Sequence, residues 1–428
     1  MRGLNCSIDG GVRGVPPNLV SGITLGLNLR GAGRGDGLIG STGFDARARA
    51  IDRGSRMAAQ SALTGTQGEA RREEIGVVSA FVFKLLRSAA GCRQVDVAEH
   101  LRVDVTTIQG WESGRRPLSA LTGTSLLRLR NSLIALGAPA AAANTLVEAV
   151  EADVILSTAI TAGPVVSDVQ AHPLGVAVLR RSLLALVTWP FTGMAPAVLR
   201  PLGAPLGRGP VPTHPQLSAR MTDRFFDHLL TIADSARNGG SAPLRRQAVY
   251  LLGYDRRPST MAWLITEYQR IVRTSGATST PTDFLLGRSA ALGLARQGDL
   301  DPIQRFIGTD LTQPQHVTAN LVYWAYWLGE IPDAYASDDD MLTGGATVWT
   351  GHRLMEHLLN HLHDPKHADL NAHTLWSLVL ARPNLLDAGP VSRTDASTKV
   401  ESAIHDGLDP RARRELSEVY FATRLAGR

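Results

Sequence analysis

Apolar residues recur at three- and four-residue spacing along most of the chain from residue 77 onward, and this spacing predicts helices. The first run extends from Val77 to Leu86 and stops at Gly91, which is typical of an amphipathic helix ended by a glycine. Further helices are expected near Gln94–Leu101, Val105–Glu112, Leu118–Leu136 and Ala140–Thr158. Because no β-type alternation competes with this pattern, the sequence predicts an all-α protein.

The chain beyond residue 217 repeats the helical spacing many times, and several of the expected helices end in glycine. Gly253, Gly298 and Gly329 mark such endings, separated by 45 and then by 31 residues. Because these intervals differ, two architectures stay open: a degenerate solenoid of the HEAT or TPR kind, and an irregular helical bundle. We therefore expect a small domain of four to five helices, followed by a long helical region of one of these two kinds.

Glycine, proline and arginine content suggests how the chain is divided. Residues 1–72 are rich in Gly and Arg without sustained periodicity, so a disordered tail is expected, with Met57 as an alternative start. Seven prolines between residues 190 and 215 interrupt the helical pattern and predict an interdomain linker. The remaining predicted segments are a small helical domain at 73–140, a helical connector at 141–189, the linker at 190–216, and a sensing or oligomerisation region at 217–428.

The net charge of +5 is concentrated toward the N-terminus. Residues 1–56 hold eight Arg against four Asp, and residues 71–130 hold ten Lys and Arg against six acids, whereas residues 131–428 hold 26 against 28. This asymmetry is typical of an N-terminal region that binds polyanions, followed by a nearly neutral C-terminal region. Neutralisation of phosphates by basic side chains supplies most of the non-specific affinity for nucleic acid. A basic tail on an ordinary surface would give the same counts.

Several functional classes find no support in the sequence. The two cysteines, Cys6 and Cys92, provide neither a disulfide framework nor a metal quartet. No apolar run is long enough to span a membrane, and no secretory signal or nucleotide-binding, hydrolase or kinase signature is found. We therefore expect a cytoplasmic, nucleoid-associated protein that is not an enzyme and needs neither a cofactor nor a membrane.

The most informative segment is Gln94–Pro117, where two short helices are expected to meet at a tight turn. Ala98 lies where the helices would cross, a contact that only a small side chain permits. Asp104 is placed to cap the second helix, and Gly114 is placed to end it. The apolar faces that would join the pair are supplied by Val97, Leu101, Ile108 and Trp111.

This segment resembles the phage-repressor type of helix-turn-helix, the Cro/cI or XRE family, over about residues 75–140. The resemblance is carried by Gln94, Ala98, Ile108 and Trp111, and by the run Trp-Glu-Ser-Gly-Arg-Arg-Pro that closes the second helix. One position departs from the family pattern: Arg102 occupies the turn where glycine is usual, and a left-handed backbone there costs arginine about 1 kcal/mol. The resemblance implies a lambda-repressor-like domain that binds duplex DNA.

By the same resemblance, residues 105–113 form a recognition helix whose N-terminal part enters the major groove. The residues implied to reach base edges are Val105, Thr106, Thr107 and Gly110, with Gln109 beside them. Gln94 is implied to contact a phosphate, aided by the N-terminus of its helix. The arginines implied to contact the DNA backbone are Arg93, Arg102, Arg115 and Arg116.

Two clusters outside this segment have alternative interpretations. Six histidines lie between His352 and His373, and the pair His357 and His361 has the spacing of two zinc ligands, although a solvated helix face is favoured because no cysteine lies nearby. The run Asp338–Asp340 lacks the pattern of a calcium loop and is expected to cap a helix or lie in a loop. The aromatic residues, expected in the core or around a small-molecule or peptide pocket, are Tyr323–Trp327, Trp263, Trp349 and Trp376.

Taken from the sequence, the leading hypothesis is a sequence-specific transcriptional regulator of bacterial type that binds duplex DNA. Its C-terminal helical region would dimerise or respond to a small-molecule, peptide or protein effector, and a homodimer would read half-sites related by two-fold symmetry. The second hypothesis is a protein-interaction scaffold built on the C-terminal helices. A metal-dependent enzyme at the histidine cluster ranks third.

Overall fold

A computed structural model describes residues 76–425, with gaps at 167, 170, 206–211, 237–240, 275–279, 332–334, 336, 345–348 and 389–390. All regular secondary structure in these residues is helical, which confirms the all-α prediction. The described helices belong to one compact unit, Arg71–Arg428. The predicted tail at 1–72 and the alternative start at Met57 lie outside the described residues.

Five α-helices form the N-terminal part of the described chain. A 3-10 turn at Leu118–Ala120 precedes the fourth helix, so the single helix predicted for Leu118–Leu136 is wrong at its start. The reason is local: the hydroxyl oxygen of Thr122 accepts a hydrogen bond from the backbone N–H of Ser125 and begins a new helix there. The five helices are α1 (Val77–Ala89), α2 (Gln94–Leu101), α3 (Val105–Glu112), α4 (Gly123–Ala135) and α5 (Ala140–Ala162).

Fourteen further α-helices follow in the described residues. Helix α9 packs against α8 and α11, and α19 packs against α18 and α16, so each of these two helices contacts its chain neighbour and also a helix more distant in the chain. These helices are α6 (Pro173–Ala177), α7 (Arg181–Thr192), α8 (Ala219–Ser235), α9 (Ala242–Leu252), α10 (Pro258–Thr274), α11 (Pro281–Gln297), α12 (Asp301–Thr309), α13 (Pro314–Trp327), α14 (Asp338–Gly344), α15 (His352–Asn360), α16 (Ala368–Ala381), α17 (Leu385–Ala388), α18 (Arg393–Ile404) and α19 (Pro410–Leu425).

One apolar core extends through the described helices from Val78 to Val419. Helix α5 packs against α1 and α4 on the N-terminal side, and against α7 and α8 on the other. Helix α7 continues through Pro190, and Leu199, in the segment predicted as a linker, is fully buried. The boundaries drawn from the sequence at 140 and at 190–216 therefore do not coincide with breaks in the packing.

Asp153 of α5 connects this helix to the N-terminus of α1. Its side chain is 1% exposed, and its two carboxylate oxygens accept hydrogen bonds from the backbone N–H groups of Val78 and Ser79, each 2.9 Å long. Burial raises the pKa of Asp153 to about 7, although the hydrogen bonds from Ser79 and Val78 act in the opposite direction. Since Gly76, the N-cap residue of α1, has no side chain, Asp153 supplies the cap from another helix.

Candidate nucleic-acid interface

The turn between α2 and α3 has the left-handed backbone expected at the position where the phage-repressor pattern has glycine. Arg102 has φ 57° and ψ 46°, and it is the one residue other than glycine with positive φ in the described chain. The backbone N–H of Val103 donates to the carbonyl of Ala98 at 3.0 Å, which closes the end of α2. The turn thus forms with arginine in place of glycine, at a conformational cost of about 1 kcal/mol.

Local capping fixes both ends of α3. The Oδ1 atom of Asp104 accepts a hydrogen bond from the backbone N–H of Thr106 at 2.7 Å, as the sequence predicted, and hydrogen bonding to Thr106 holds the pKa of Asp104 below its usual value. Gly114, with φ 72°, follows the last turn. Both α2 and α3 have the predicted bounds, Gln94–Leu101 and Val105–Glu112.

The predicted apolar contacts hold α3 against the helices beneath it. Val97 and Ile108 are fully buried, and Ala98 is 3% exposed. The half-buried ring of Trp111 meets Phe83 of α1 edge-on, with ring centroids 5.9 Å apart. These contacts restrict the orientation of α3 relative to α1 and α2.

A buried polar network, which sequence reasoning missed, ties α1, α2 and α3 together. The guanidinium of Arg87 forms an ion pair with Glu112, and their side chains are only 10% and 6% exposed. Arg87 Nη1 also donates to the carbonyl of Cys92 at 2.6 Å, and Gln94 Nε2 donates to Glu112 Oε2 at 2.6 Å. Gln94, expected to contact phosphate, is therefore half-buried and held in place by the last residue of α3.

The outer face of α3 presents polar side chains. Thr106 and Gln109 are exposed, and Val105 and Thr107 are half-buried. Gly110 is buried, and the side chain of Arg116 covers it: a Cβ atom built on Gly110 would lie 3.0 Å from Cδ of Arg116. Of the residues expected to reach base edges, Thr106 and Gln109 thus have the most accessible side chains, whereas Gly110 lies beneath an arginine.

The four arginines expected to contact the DNA backbone are all exposed, but their surroundings differ. Arg93 forms an ion pair with Asp96 at 2.8 Å, which already engages its charge. Arg116 Nη1 donates to the hydroxyl of Thr107 at 3.0 Å, and Arg115 Nε donates to a serine hydroxyl at 3.2 Å. Among the described residues, neither these two arginines nor Arg102 forms an ion pair.

The histidines between residues 352 and 373 have separate partners. His357 and His361 stack with ring centroids 4.2 Å apart, and burial, aided by His361, lowers the pKa of His357 to about 4. His373 is 1% exposed and contacts Glu415, so the predicted solvated face holds for the exposed His361 but not for the half-buried His357 or the buried His373. In the described part of the chain, no three His, Cys, Asp or Glu side chains are placed to hold a metal ion.

Asp338, which the sequence placed in a loop or at a helix cap, is the first residue of α14 and is fully buried. Its carboxylate pairs with Arg246 rather than gathering a cation. Among the aromatic residues, Tyr323, Tyr326 and Trp349 are buried, in agreement with a core position.

Comparison of the chain with protein-family models, with curated proteins and with solved structures finds no match. Within the described residues, no helix is long and apolar enough to cross a membrane.

Proposed function

We propose that the chain is a sequence-specific transcriptional regulator that binds duplex DNA through α3, and that it is not an enzyme. The observation that carries the proposal is the exposed polar face of α3, which is flanked by arginines that have no carboxylate partner in the described residues. Such charges are available to phosphates, and the helix between them is available to base edges.

The spacing of the exposed residues supports this role. Arg102, Thr106, Gln109 and Ser113 follow one another at intervals of four, three and four residues. Thr106 and Gln109 therefore share one face of α3, and Ser113, the residue after the helix, continues it. A glutamine side chain can pair with adenine in the major groove, and a threonine hydroxyl can bond to several bases. Arg102 at one end and Arg115 at the other would contact phosphates and set the register.

The buried network also suits a recognition element. A helix that reads bases must keep its orientation when it is bound, because a small displacement loses directed hydrogen bonds. The ion pair of Arg87 with Glu112 fixes the C-terminal end of α3 to α1, and Gln94 fixes the start of α2 to the same carboxylate. The net charge of residues 76–140, eight basic against four acidic side chains, favours approach to DNA.

The test uses the full chain and genomic DNA fragments that it selects from a pool. We expect binding that weakens steeply with salt, and a preference for selected fragments over random duplex. Arg115→Ala should lower affinity on every sequence, whereas Thr106→Ala should reduce discrimination between matched and mismatched sites by about fivefold, or about 1 kcal/mol. Arg224→Ala, an exposed arginine on α8, is the matched control and should change neither.

Absence of salt-dependent binding by the full chain would refute the proposal. The second candidate, a protein-interaction scaffold, is favoured by the exposed apolar side chains of Leu380 and Phe421, 62% and 61% accessible, on the mutually packed helices α16 and α19. Replacing Leu380 and Phe421 by serine separates the two roles: a scaffold would lose its partner, whereas a regulator would still bind DNA.

A further inference from the structure

A group of arginines and aromatic rings lies in the C-terminal helical region, away from α3. Its members come from α9, from the turn after it, from α11 and from α13, and the floor of the group is buried while its rim is half-buried. We name it the arginine–aromatic cluster. It consists of Arg246, Tyr250, Tyr254, Arg288, Arg296, Tyr323 and Trp324.

Helical spacing brings these residues together. Arg246, Tyr250 and Tyr254 follow one another at four-residue intervals on and just beyond α9. Arg288 and Arg296 are eight residues apart on α11, which packs directly against α9. The two helices thus turn their cationic and aromatic side chains toward a shared interior.

Among the described residues, Arg246 is the one arginine of the cluster that pairs with a carboxylate. It donates from Nε and Nη2 to the two carboxylate oxygens of Asp338 at 2.8 Å and 2.9 Å, and both side chains are fully buried. It also donates to the hydroxyl of Tyr323 at 3.3 Å. Burial opposes its charge, but Asp338 together with the neighbouring tyrosines more than offsets burial, and the pKa of Arg246 is raised.

Arg288 is equally deep but has no carboxylate partner in the part of the chain that the structure describes. It is 3% exposed, and its Nε donates to the amide oxygen of Asn320 at 3.0 Å. Its guanidinium carbon lies 4.7 Å from the ring centroid of Tyr323 and 5.0 Å from that of Trp324. Among the described residues, its two NH2 groups have no hydrogen-bond acceptor. Burial lowers the pKa of Arg288 to about 10, so it stays charged at neutral pH.

Other donors at the cluster also have no acceptor in the described part of the chain. Nη1 of Arg296 and Nε1 of Trp324 are both buried without a hydrogen bond. The guanidinium of Arg296 lies 4.5 Å from the ring centroid of Tyr254 and 4.7 Å from that of Tyr250. Burial lowers the pKa of His367, contact with Asp364 acts in the opposite direction, and the charges of Arg296 and Arg288 lower it further, which places His367 within electrostatic reach of both arginines.

The described part of the cluster therefore holds three cations and one carboxylate. A buried charge without a partner is strongly destabilising, and cation–π contacts recover only part of that cost. The buried NH groups of Arg296 and Trp324 that have no acceptor add to it. All the unsatisfied groups named above on Arg288, Arg296 and Trp324 are donors, so a ligand for them has to supply acceptor oxygens.

We propose that the arginine–aromatic cluster binds a small organic anion through its carboxylate or phosphate group. The oxygens accept from Arg288 on the floor and from Arg296 and Trp324 toward the rim, in the paired geometry that guanidinium groups favour. The rings of Tyr254 and Trp324 suit an apolar or planar body attached to the anionic group. Arg288 lies too deep for the backbone of duplex DNA to reach, so this site is separate from the one proposed on α3.

The test is thermal unfolding of the full chain in chloride buffer at constant ionic strength, with inorganic phosphate or benzoate as the added anion. We expect a saturable rise in unfolding temperature, and the anion that gives it identifies phosphate or carboxylate as the bound group. Arg296→Met should weaken the apparent affinity about tenfold or more, whereas Arg224→Met on α8 should not change it. Absence of a saturable rise with either anion would overturn the proposal.

The unfolding temperatures of two arginine variants, measured in chloride buffer without added phosphate or benzoate, test the proposal further. Arg288→Met removes an unpaired charge and should unfold at a higher temperature than the natural chain, with its response to the added anion lost. Arg246→Met leaves Asp338 buried without a partner and should unfold at a lower temperature. If Arg288→Met instead unfolds at a lower temperature than the natural chain, Arg288 is a structural residue and the proposal fails. The α3 variant Arg115→Ala should keep the anion response, so failure of one proposal leaves the other standing.

Discussion

Replacing Arg102 by glycine should stabilise the pair of helices α2 and α3. The residue lies in the left-handed region at φ 57°, where a Cβ atom crowds the following carbonyl. Its side chain is exposed and has no ion pair among the described residues, so little else is lost when it is removed. The change therefore acts mainly on the backbone.

The expected change in the free energy of unfolding follows from two opposing effects of Arg102→Gly. Relief of the left-handed strain contributes about 1–2 kcal/mol. The greater freedom of glycine in the unfolded chain takes back about 0.5–1 kcal/mol. We expect Arg102→Gly to stabilise the pair by about 0.5–1 kcal/mol, whereas Arg102→Ala, which keeps the Cβ atom, should stay within about 0.5 kcal/mol of the natural chain.

Native-state hydrogen exchange can measure this locally, since a protein of this size need not unfold in one step. Amide groups of Gln94–Leu101 and Val105–Glu112 should exchange about two- to fivefold more slowly in Arg102→Gly than in Arg102→Ala. Equal or faster exchange in the glycine variant would refute the strain argument. Both variants lack the guanidinium and should lose the same DNA affinity, which separates stability from phosphate contact.

Two further predictions concern the packing of the helices. Gly253→Ala should destabilise the protein by about 1–3 kcal/mol, because its new Cβ atom would lie 2.7 Å from Cα of Gly293. The control is Gly308→Ala, whose new Cβ atom would lie 3.9 Å from its nearest neighbour and which should be close to neutral. Urea titration of both variants and the natural chain measures the two effects. Asp153 binds protons more tightly in the folded protein, with a pKa of about 7 against an ordinary 3.8, so its contribution to stability should fall as the pH rises from 4 to 7. Asp153→Asn should remove that component, and parallel pH profiles of the two proteins in urea titrations would contradict the assignment.

The helices that the sequence predicts best are those with local signals. A carboxylate at Asp104 and a glycine at Gly114 fix the ends of α3 within a few residues of the chain, and both bounds agree with the structure. Helix α18 shows the converse, since its buried face consists of Ala396, Val400 and Ala403. Small residues at helical spacing give a weak periodic signal, and that helix was not predicted.

Pairings between distant residues are what sequence periodicity cannot supply. Arg87 and Glu112 look like ordinary surface charges on two amphipathic helices, yet they form an ion pair in which both side chains are almost fully buried. Arg246 and Asp338 are 92 positions apart, and their contact depends on how α9 and α14 are placed by the whole core. A burial pattern shows which face of a helix is apolar, but it does not show which charge on its margin is covered by another helix.

A continuous set of contacts connects the two proposed sites. Nη1 of Arg181, in α7, donates to the carbonyl of Tyr326 at 2.5 Å, and Tyr326 belongs to α13, which also bears Tyr323 of the arginine–aromatic cluster. Helix α7 packs on α5, whose Asp153 caps α1, and α1 is the helix that holds α3 through Arg87. Physical continuity of this kind does not by itself produce ligand-controlled DNA binding, because coupling requires an element with two arrangements that both ligands bias. Coupling, where it exists, is reciprocal: an anion that changes DNA affinity by some factor has its own affinity changed by DNA by the same factor.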